Sequence, residues 1–147
     1  MNFLRIFFLL AGILCLIGCE SLDDRFSAVP PKVQVYSGDQ DTLKAAAVLA
    51  FKRLDFNVTR SKGIDLEAVS QIHSSVAFAD SRQLLAKIHL SEAGPGKTAV
   101  EMTLTEQFQG DRVGGTAQHT MKEHGFFQLY FATLQQILDE TATKAGK

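Results

Sequence analysis

Four histidines are the side chains of this chain best suited to acid–base catalysis or metal binding: His73, His89, His119 and His124. Four residues separate His119 from His124, and the pair flanks the expected start of a helix, so the two share no face; no HExxH motif is present. His73 and His89 lie on predicted strand segments and would meet only if those strands paired. The spacing favours independent surface histidines, and we expect no catalytic residue and no metal.

Two other patterns with possible chemistry also have simpler explanations. Residues 94–98, Gly-Pro-Gly-Lys-Thr, have the composition of a phosphate loop, but they lack the earlier glycine and connect two predicted strands instead of leading into a helix. We therefore predict a hairpin loop there. The carboxylates of Asp65 and Glu67, and of Glu101 and Glu106, are expected on solvated faces. No Gly-x-Ser-x-Gly motif occurs, so neither an enzyme nor a bound cofactor is indicated.

The thiol of Cys19 is the reactive group with the clearest context, because it directly follows a segment with the organisation of an export signal. That segment, residues 1–18, has Arg5 near its start, an apolar run at 6–17 and the small residue Gly18 at its end. At about 1.5 Å per residue the apolar run spans about 18–20 Å, against about 30 Å of hydrocarbon in a bilayer. We therefore expect cleavage and not a permanent transmembrane helix.

This segment resembles the signal of bacterial lipoproteins, in which a lipobox places leucine three residues before an invariant cysteine and small residues nearer to it. Leu16, Gly18 and Cys19 match that pattern. The resemblance implies that a signal peptidase recognises Leu16 and Gly18 and cuts before Cys19, whose sulfur carries a diacylglycerol thioether. The freed amine is often acylated in that family, and palmitate is the acyl group we expect. Cys15 follows the bulky Leu14 and is expected to leave with the signal. The alternative is an ordinary cleavage site beside an unmodified cysteine.

The resemblance also implies a place in the cell. A lipid on Cys19 would attach the chain to a membrane of the bacterial cell envelope, facing the periplasm, without spanning it. Residues 19–32 are interpreted as the lipidated end and a flexible tether, which Pro30 and Pro31 extend near its end. In some lipoproteins aspartate after the cysteine is associated with retention in the inner membrane; Glu20 stands there in this chain, which favours the outer membrane.

Size and composition bound what the rest of the chain can be. Removal of residues 1–18 leaves 129 residues, and we interpret 33–147 as a single domain. Fifteen basic residues against sixteen acidic ones, with no long basic run, argue against nucleic-acid binding. Without Cys15 and with Cys19 alkylated, no thiol remains for disulfides or metal thiolates.

Two helices and several strands are predicted from apolar periodicity. The first helix follows a strand at Lys32–Tyr36, takes Asp39 or Asp41 as its N-cap, and has one apolar stripe: Leu43, Ala46, Ala47, Ala50, Phe51 and Leu54. The last helix runs from about Gly125 to Thr143, with a capping box of Thr120 and Glu123. Its apolar face comprises Phe127, Tyr130, Phe131, Leu134, Ile137, Leu138 and Thr141.

Alternating residues define the predicted strands between the helices. Inward sets are Leu66, Ala68, Ile72, Val76 and Phe78 in an extended stretch over 64–78, then Leu84, Ala86, Ile88 and Leu90, then Val100, Met102 and Leu104. Turns are expected at 61–63, 92–96 and 109–112, and whether 113–119 forms a strand is left open. The exposed sheet face is either plain solvent face or a contact surface, with Lys87, His89, Glu101, Thr103, Thr105 and Gln107.

The predicted fold is α+β, a two-layer sandwich in which two helices cover one face of a four- to five-stranded, largely antiparallel sheet, in the order β-α-β-β-β-(β)-α. This order resembles the small α/β lipoproteins of the Gram-negative envelope, among them the lipopolysaccharide-assembly lipoprotein. The expected function is non-catalytic: an accessory or binding domain with a protein partner in the envelope. The alternative is a small apolar-ligand or lipid carrier with a crevice between helices and sheet.

Overall fold

A computed structural model describes residues 29–75, 80–110 and 116–145 of the chain. Within these ranges the elements follow one another as β1 (Lys32–Ser37), α1 (Gln40–Arg53), β2 (Asn57–Lys62), β3 (Asp65–Val69), β4 (His73–Ser75), β5 (Asp80–Gly94), β6 (Lys97–Gly110), β7 (Thr116–Thr120) and α2 (Gly125–Ala145). The α+β class is confirmed.

The described strands form one antiparallel sheet in the order β1-β6-β5-β3-β2, with β4 added to β5 and β7 added to β6. β5 and β6 are long enough for β3 and β1 to pair with one half of the hairpin while β4 and β7 pair with the other half. Pro95 and Gly96 close this hairpin, and Gly96 has a φ of +66°. The 94–98 motif is therefore a hairpin turn, as predicted.

α1 forms where the apolar stripe predicted it. Asp39 is the N-cap, and its carboxylate accepts a hydrogen bond of 2.8 Å from the Thr42 N–H. This bond and a second from the Thr42 hydroxyl lower the pKa of Asp39. The helix ends at Arg53, after which Asp55 adopts a φ of +59°. Five residues of the stripe are buried: Leu43, Ala46, Ala47, Ala50 and Phe51.

α2 lies beside α1 on the same face of the sheet. The Arg53 guanidinium joins both carboxylate oxygens of Glu140 at 3.1 and 3.0 Å, which connects the end of α1 to α2 and lowers the pKa of Glu140. Phe126, Phe127, Tyr130, Leu134 and Ile137 of α2 are buried.

The core between helices and sheet is built from both layers. The sheet contributes the buried residues Tyr36, Leu66, Ala68, Ala86, Ile88, Leu90, Val100, Met102 and Leu104. Aromatic rings fill the helix layer: Phe51 lies 4.6 Å from Tyr130, and Phe56 stacks on Phe126 at 4.4 Å, centroid to centroid. Such pairs contribute about 0.5–1.5 kcal/mol beyond their buried area.

The main difference from the prediction is the number of strands: the described residues form seven, and four or five were predicted. The predicted extended stretch over 64–78 breaks after Val69, where the Ser70 hydroxyl accepts a 3.0 Å hydrogen bond from the Leu84 N–H. The break interrupts the alternation, so Ile72 is 63% exposed and its predicted inward position is wrong. Val76 and Phe78 lie outside the described residues.

Boundaries at turns also differ, because the strands run further than predicted: β2 to Lys62, β5 to Gly94 and β6 to Gly110. The open question of 113–119 is answered in part by β7, which begins at Thr116; residues 111–115 lie outside the described ranges.

The predicted capping box is wrong, because Thr120 ends β7 and α2 begins only at Gly125. The His124 ring accepts a hydrogen bond of 3.1 Å from the Phe126 N–H instead, and Glu123 binds Lys32 at 2.7 Å.

Candidate functional site

We term the face of the sheet opposite the helices the open face. It carries the polar residues that were predicted to be exposed on β5 and β6: Lys87, His89, Glu101, Thr103, Thr105 and Gln107. Because directly paired residues share a face, register alone aligns Asp65, His89 and Glu101 in one cross-strand row and Glu67, Lys87 and Thr103 in the next. Thr105 and Gln107 continue the same face along β6. A shallow groove of about 310 Å³ runs over these rows, with Arg60 and Pro31 at its borders.

Charges on the open face are paired across strands. Glu67 is the centre of one group, with the Arg60 guanidinium at 3.5 Å and the Lys87 ammonium at 3.9 Å. His89 Nδ1 lies 2.8 Å from Asp65 Oδ1. All of these side chains are a quarter or more exposed, so each pair contributes little to stability. Together these pairs place positively and negatively charged side chains next to each other on the open face.

The His89–Asp65 pair has the geometry of a histidine oriented by a carboxylate, which is one part of a hydrolytic site. A nucleophile bonded to the histidine would be needed to complete it. Ser91 is the neighbouring hydroxyl on this face, and it donates to Glu101 at 3.2 Å and not to His89. Among the described hydrogen bonds, His89 therefore has the carboxylate of such a site but no hydroxyl bonded to it.

The other histidines do not join this group. His73 pairs with Arg82 in the sheet register and His119 with Glu106, which places both on the helix-side face of the far sheet end; His124 caps α2. His73 and His89 therefore do not meet. Within the described ranges no three histidine, cysteine or acidic side chains are close enough together to hold a metal ion.

A second surface, which we term the edge groove, lies between β1 and α2. It has a volume of about 540 Å³ and is lined by Lys32, Val33, Gln34, Glu123, His124, Phe127, Gln128, Phe131, Ala132 and Gln135. The Tyr36 hydroxyl donates to the Phe131 carbonyl at 3.1 Å, tying strand and helix together below it. Burial raises the pKa of Tyr36 far above its usual value.

β1 borders the edge groove and is an outermost described strand, as is β7, which pairs with the other half of β6 on the same side of the sheet. Val33 and Val35 point to the open face and are 56% and 51% exposed, whereas Tyr36 is buried. The sequence alone does not single out this edge. Its one signal was the Val-x-Val pattern beside Tyr36, which alone does not say which face is buried.

The predicted signal peptide 1–18 and the lipidation site at Cys19, with Leu16 and Gly18, lie outside the described residues, as does the tether up to residue 28. Among the helices that are described, none combines the length and the apolar character that crossing a bilayer requires.

Comparison with known proteins gives no assignment. No protein-family model and no curated protein matches this chain. Among solved structures it is similar to the adenylate sensor of AMP-activated protein kinase in complex with ZMP, at 16% identity and a TM-score of 0.43, over 71% of this chain and 93% of that one. It is also similar to a DUF4468 family protein from Bacteroides ovatus, at 15% identity and a TM-score of 0.34, over 86% of this chain and 94% of that one.

Proposed function

We propose that this protein is a lipid-anchored lipoprotein of the bacterial cell envelope, whose periplasm-facing domain binds a protein partner and performs no catalysis. The lipobox Leu16-Ile17-Gly18-Cys19 supports the anchor, with the outer membrane favoured by Glu20. The open face supports the binding role, because the described helices both cover the other face and leave two rows of polar side chains accessible.

The charged and polar side chains of the open face indicate what kind of surface the partner presents. The row Asp65–His89–Glu101 places an imidazole between two carboxylates, and it lies beside the oppositely charged pair Glu67–Lys87, with Arg60 at the border. This set matches a polar protein surface that carries both charges. Such complementarity contributes more to specificity and association rate than to affinity. A polar interface of this kind is typical of a partner that binds and dissociates.

Photo-crosslinking in intact Gram-negative cells tests the binding role. A photoreactive residue in the full chain at Thr103, near the centre of the open face, is expected to form an adduct with a protein, whereas one at the exposed Gln136 of α2 forms none. Lys87→Glu should abolish the adduct, and Lys87→Arg should preserve it. Adducts with lipid alone, or an adduct that is indifferent to Lys87→Glu, would contradict this role.

Mass spectrometry of the processed protein tests the anchor independently. The expected N-terminal residue is Cys19, carrying a diacylglycerol thioether. A mature chain that begins at another residue, or that carries a free thiol at position 19, would contradict lipid attachment. Cys19→Ser is expected to release the protein from the membrane fraction.

The edge groove favours one alternative function, a carrier of a small apolar ligand or lipid. Its volume of about 540 Å³ falls within the range of small-molecule sites, and Phe127, Phe131 and Ala132 give it apolar walls. Saturable binding of a fluorescent fatty acid, lost in Ala132→Trp and kept in Gln136→Trp, would support this function. A lack of saturable binding would remove it.

A further inference from the structure

The hydrogen bonding of β1 to β6 determines which backbone N–H and C=O groups of β1 point away from the sheet. The Gly38 N–H donates to the Gly96 carbonyl at 2.9 Å, and this pair continues the β1–β6 register by one residue. Since bonded and non-bonded pairs alternate along an antiparallel ladder, the even-numbered residues of β1 direct their N–H and C=O groups to β6. The odd-numbered residues Val33 and Val35 therefore direct theirs away from the sheet.

The two edges of the sheet differ in how they are protected. β2, at the opposite edge, has a register irregularity between Val58 and Arg60 and presents the exposed charges of Arg60 and Lys62. Bulges and charges of this kind prevent edge strands from pairing with other chains. β1 has a continuous register and no charge from Val33 to Ser37. Only the β1 edge, of these two, is suited to accept another strand.

The pattern of β1 is complementary to itself. Consider a second β1 strand placed antiparallel to the first, with the two Gln34 residues opposite each other. Val33 of the first copy then lies opposite Val35 of the second, and Val35 of the first lies opposite Val33 of the second. Both valines present outward backbone groups, so these pairs exchange hydrogen bonds in both directions, and their half-exposed side chains cover one another on the open face. An isologous contact requires that one patch match itself in this way.

We propose that β1 pairs with β1 of a second copy of this chain, about a two-fold axis at Gln34, so that two sheets become one. The charges at the seam permit it, because Lys32, the one charged residue of β1, forms an ion pair with Glu123 at 2.7 Å. On the helix side, α2 of each copy borders the same seam, and the exposed small residue Ala132 allows the two helices to approach across the edge groove.

The dimer would double the open face. In one copy the cross-strand row Asp65–His89–Glu101 ends at Val33. In the dimer this row would continue across the seam onto the open face of the second copy. This inference uses the edge of the sheet, and the proposed partner binding uses its face, so either can hold without the other.

Cysteine crosslinking of the full chain in isolated membranes or lysate tests the pairing, with copper–phenanthroline and air as the oxidant that accepts the two electrons of each disulfide. Gln34 faces itself as a non-bonded pair, with Cα atoms about 4.5 Å apart, within the span of about 4.4–6.8 Å that a disulfide bridges. Gln34→Cys should give a disulfide-linked dimer. Ser61→Cys is the matched control, because Ser61 is also exposed and helix-side on the other edge strand, opposite Leu66. The unmodified chain controls for Cys19.

Second substitutions in Gln34→Cys test whether pairing of the β1 edge produces the link. Val35→Lys places a charge at the seam, and Val35→Pro removes an outward N–H without breaking a bond to β6. Both should abolish the dimer, and circular dichroism of the purified Val35→Lys protein should remain that of the folded chain. A Gln34→Cys protein that is no more dimeric than Ser61→Cys, or a dimer that persists in both second variants, would overturn the proposal.

Discussion

The hydroxyl of Tyr130 donates a hydrogen bond of 3.2 Å to the backbone carbonyl of Ala47, so the two helices are joined inside the core. Tyr130 is completely buried, and its ring contacts Phe51 on α1 and Phe126 on α2. A buried hydroxyl without an acceptor would be costly. The position of α2 over the sheet therefore depends on a polar contact as well as on apolar packing.

Tyr130→Phe separates these two contributions. It removes the hydroxyl and keeps the ring, and we expect the free energy of unfolding to fall by about 1 kcal/mol. Tyr130→Ala also leaves a cavity and should cost about 3–5 kcal/mol. Urea denaturation followed by circular dichroism measures both. Equal losses in the two variants would mean that the hydrogen bond, and not the ring, holds the helices together.

Alkaline pH should unfold the domain through its tyrosines. Burial raises the pKa of Tyr36 and, with the charge of Tyr36 as a further cause, that of Tyr130. In the unfolded chain both titrate near pH 10. Below that pH the hydroxyls are neutral in both states and no stability is lost; above it only the unfolded chain releases protons, so stability falls as pH rises.

Ultraviolet absorbance of tyrosinate checks this directly, because the chain has two tyrosines and no tryptophan. Tyrosinate should appear together with the loss of helical circular dichroism, in one transition above about pH 10. Ionisation near that pH in a chain that keeps its helical signal would show that the two hydroxyls are accessible to solvent.

The sequence was sufficient to predict the two helices and the central strands of the sheet, because each of these elements is buried on one side only and its apolar residues recur with a regular period. Residue types predict Asp39 or Asp41 as the N-cap, of which the structure has Asp39, and they predict the alternation through Leu84–Leu90. The sequence is less informative where alternation is interrupted. The break between β3 and β4 was missed at Ser70, whose hydroxyl replaces a ladder contact, and the strand β7 was left open because two glycines at 114–115 precede it. Tertiary pairing with β5 and β6 decides those segments.

The candidate surfaces were predictable in part. Strand parity alone places Lys87, His89 and Glu101 on one face of β5 and β6. Their pairing with Asp65 and Glu67 depends on strand order, which a single sequence does not contain. For the same reason the exposed edge at Val33 and Val35 could not be distinguished from a buried one.

Gly38 should be intolerant of a side chain. Its φ is +136°, and a Cβ built there would lie 2.7 Å from Cδ2 of the fully buried Leu43. Backbone strain and overpacking together predict that Gly38→Ala lowers the free energy of unfolding by about 2–4 kcal/mol. Gly63→Ala is the control, with a φ of +56° and no atom within 4 Å; its expected cost is about 1 kcal/mol. Similar losses in both variants would contradict a role for Leu43.

Asp55 offers a stabilising substitution. It follows α1 with a φ of +59°, a conformation that costs a residue with a side chain about 1 kcal/mol and costs glycine little. Asp55→Gly should therefore raise the free energy of unfolding by about 0.5–1 kcal/mol, and the β-branched Asp55→Val should lower it. Urea denaturation of both variants is the measurement, and a stabilised Asp55→Val would refute the backbone argument.

Amide hydrogen exchange along β1 should alternate and should depend on concentration. The N–H groups of Gln34 and Tyr36 face β6 and are expected to exchange slowly at every protein concentration. Those of Val33 and Val35 face the outer edge, so they should exchange quickly in a single copy and slowly once a second β1 pairs with them. Residue-resolved exchange over a dilution series distinguishes the two sets. If all four amides exchanged alike, the assigned phase of the ladder would be wrong; if only the dilution effect were missing, the edge would be correctly assigned and the second copy would not bind to it.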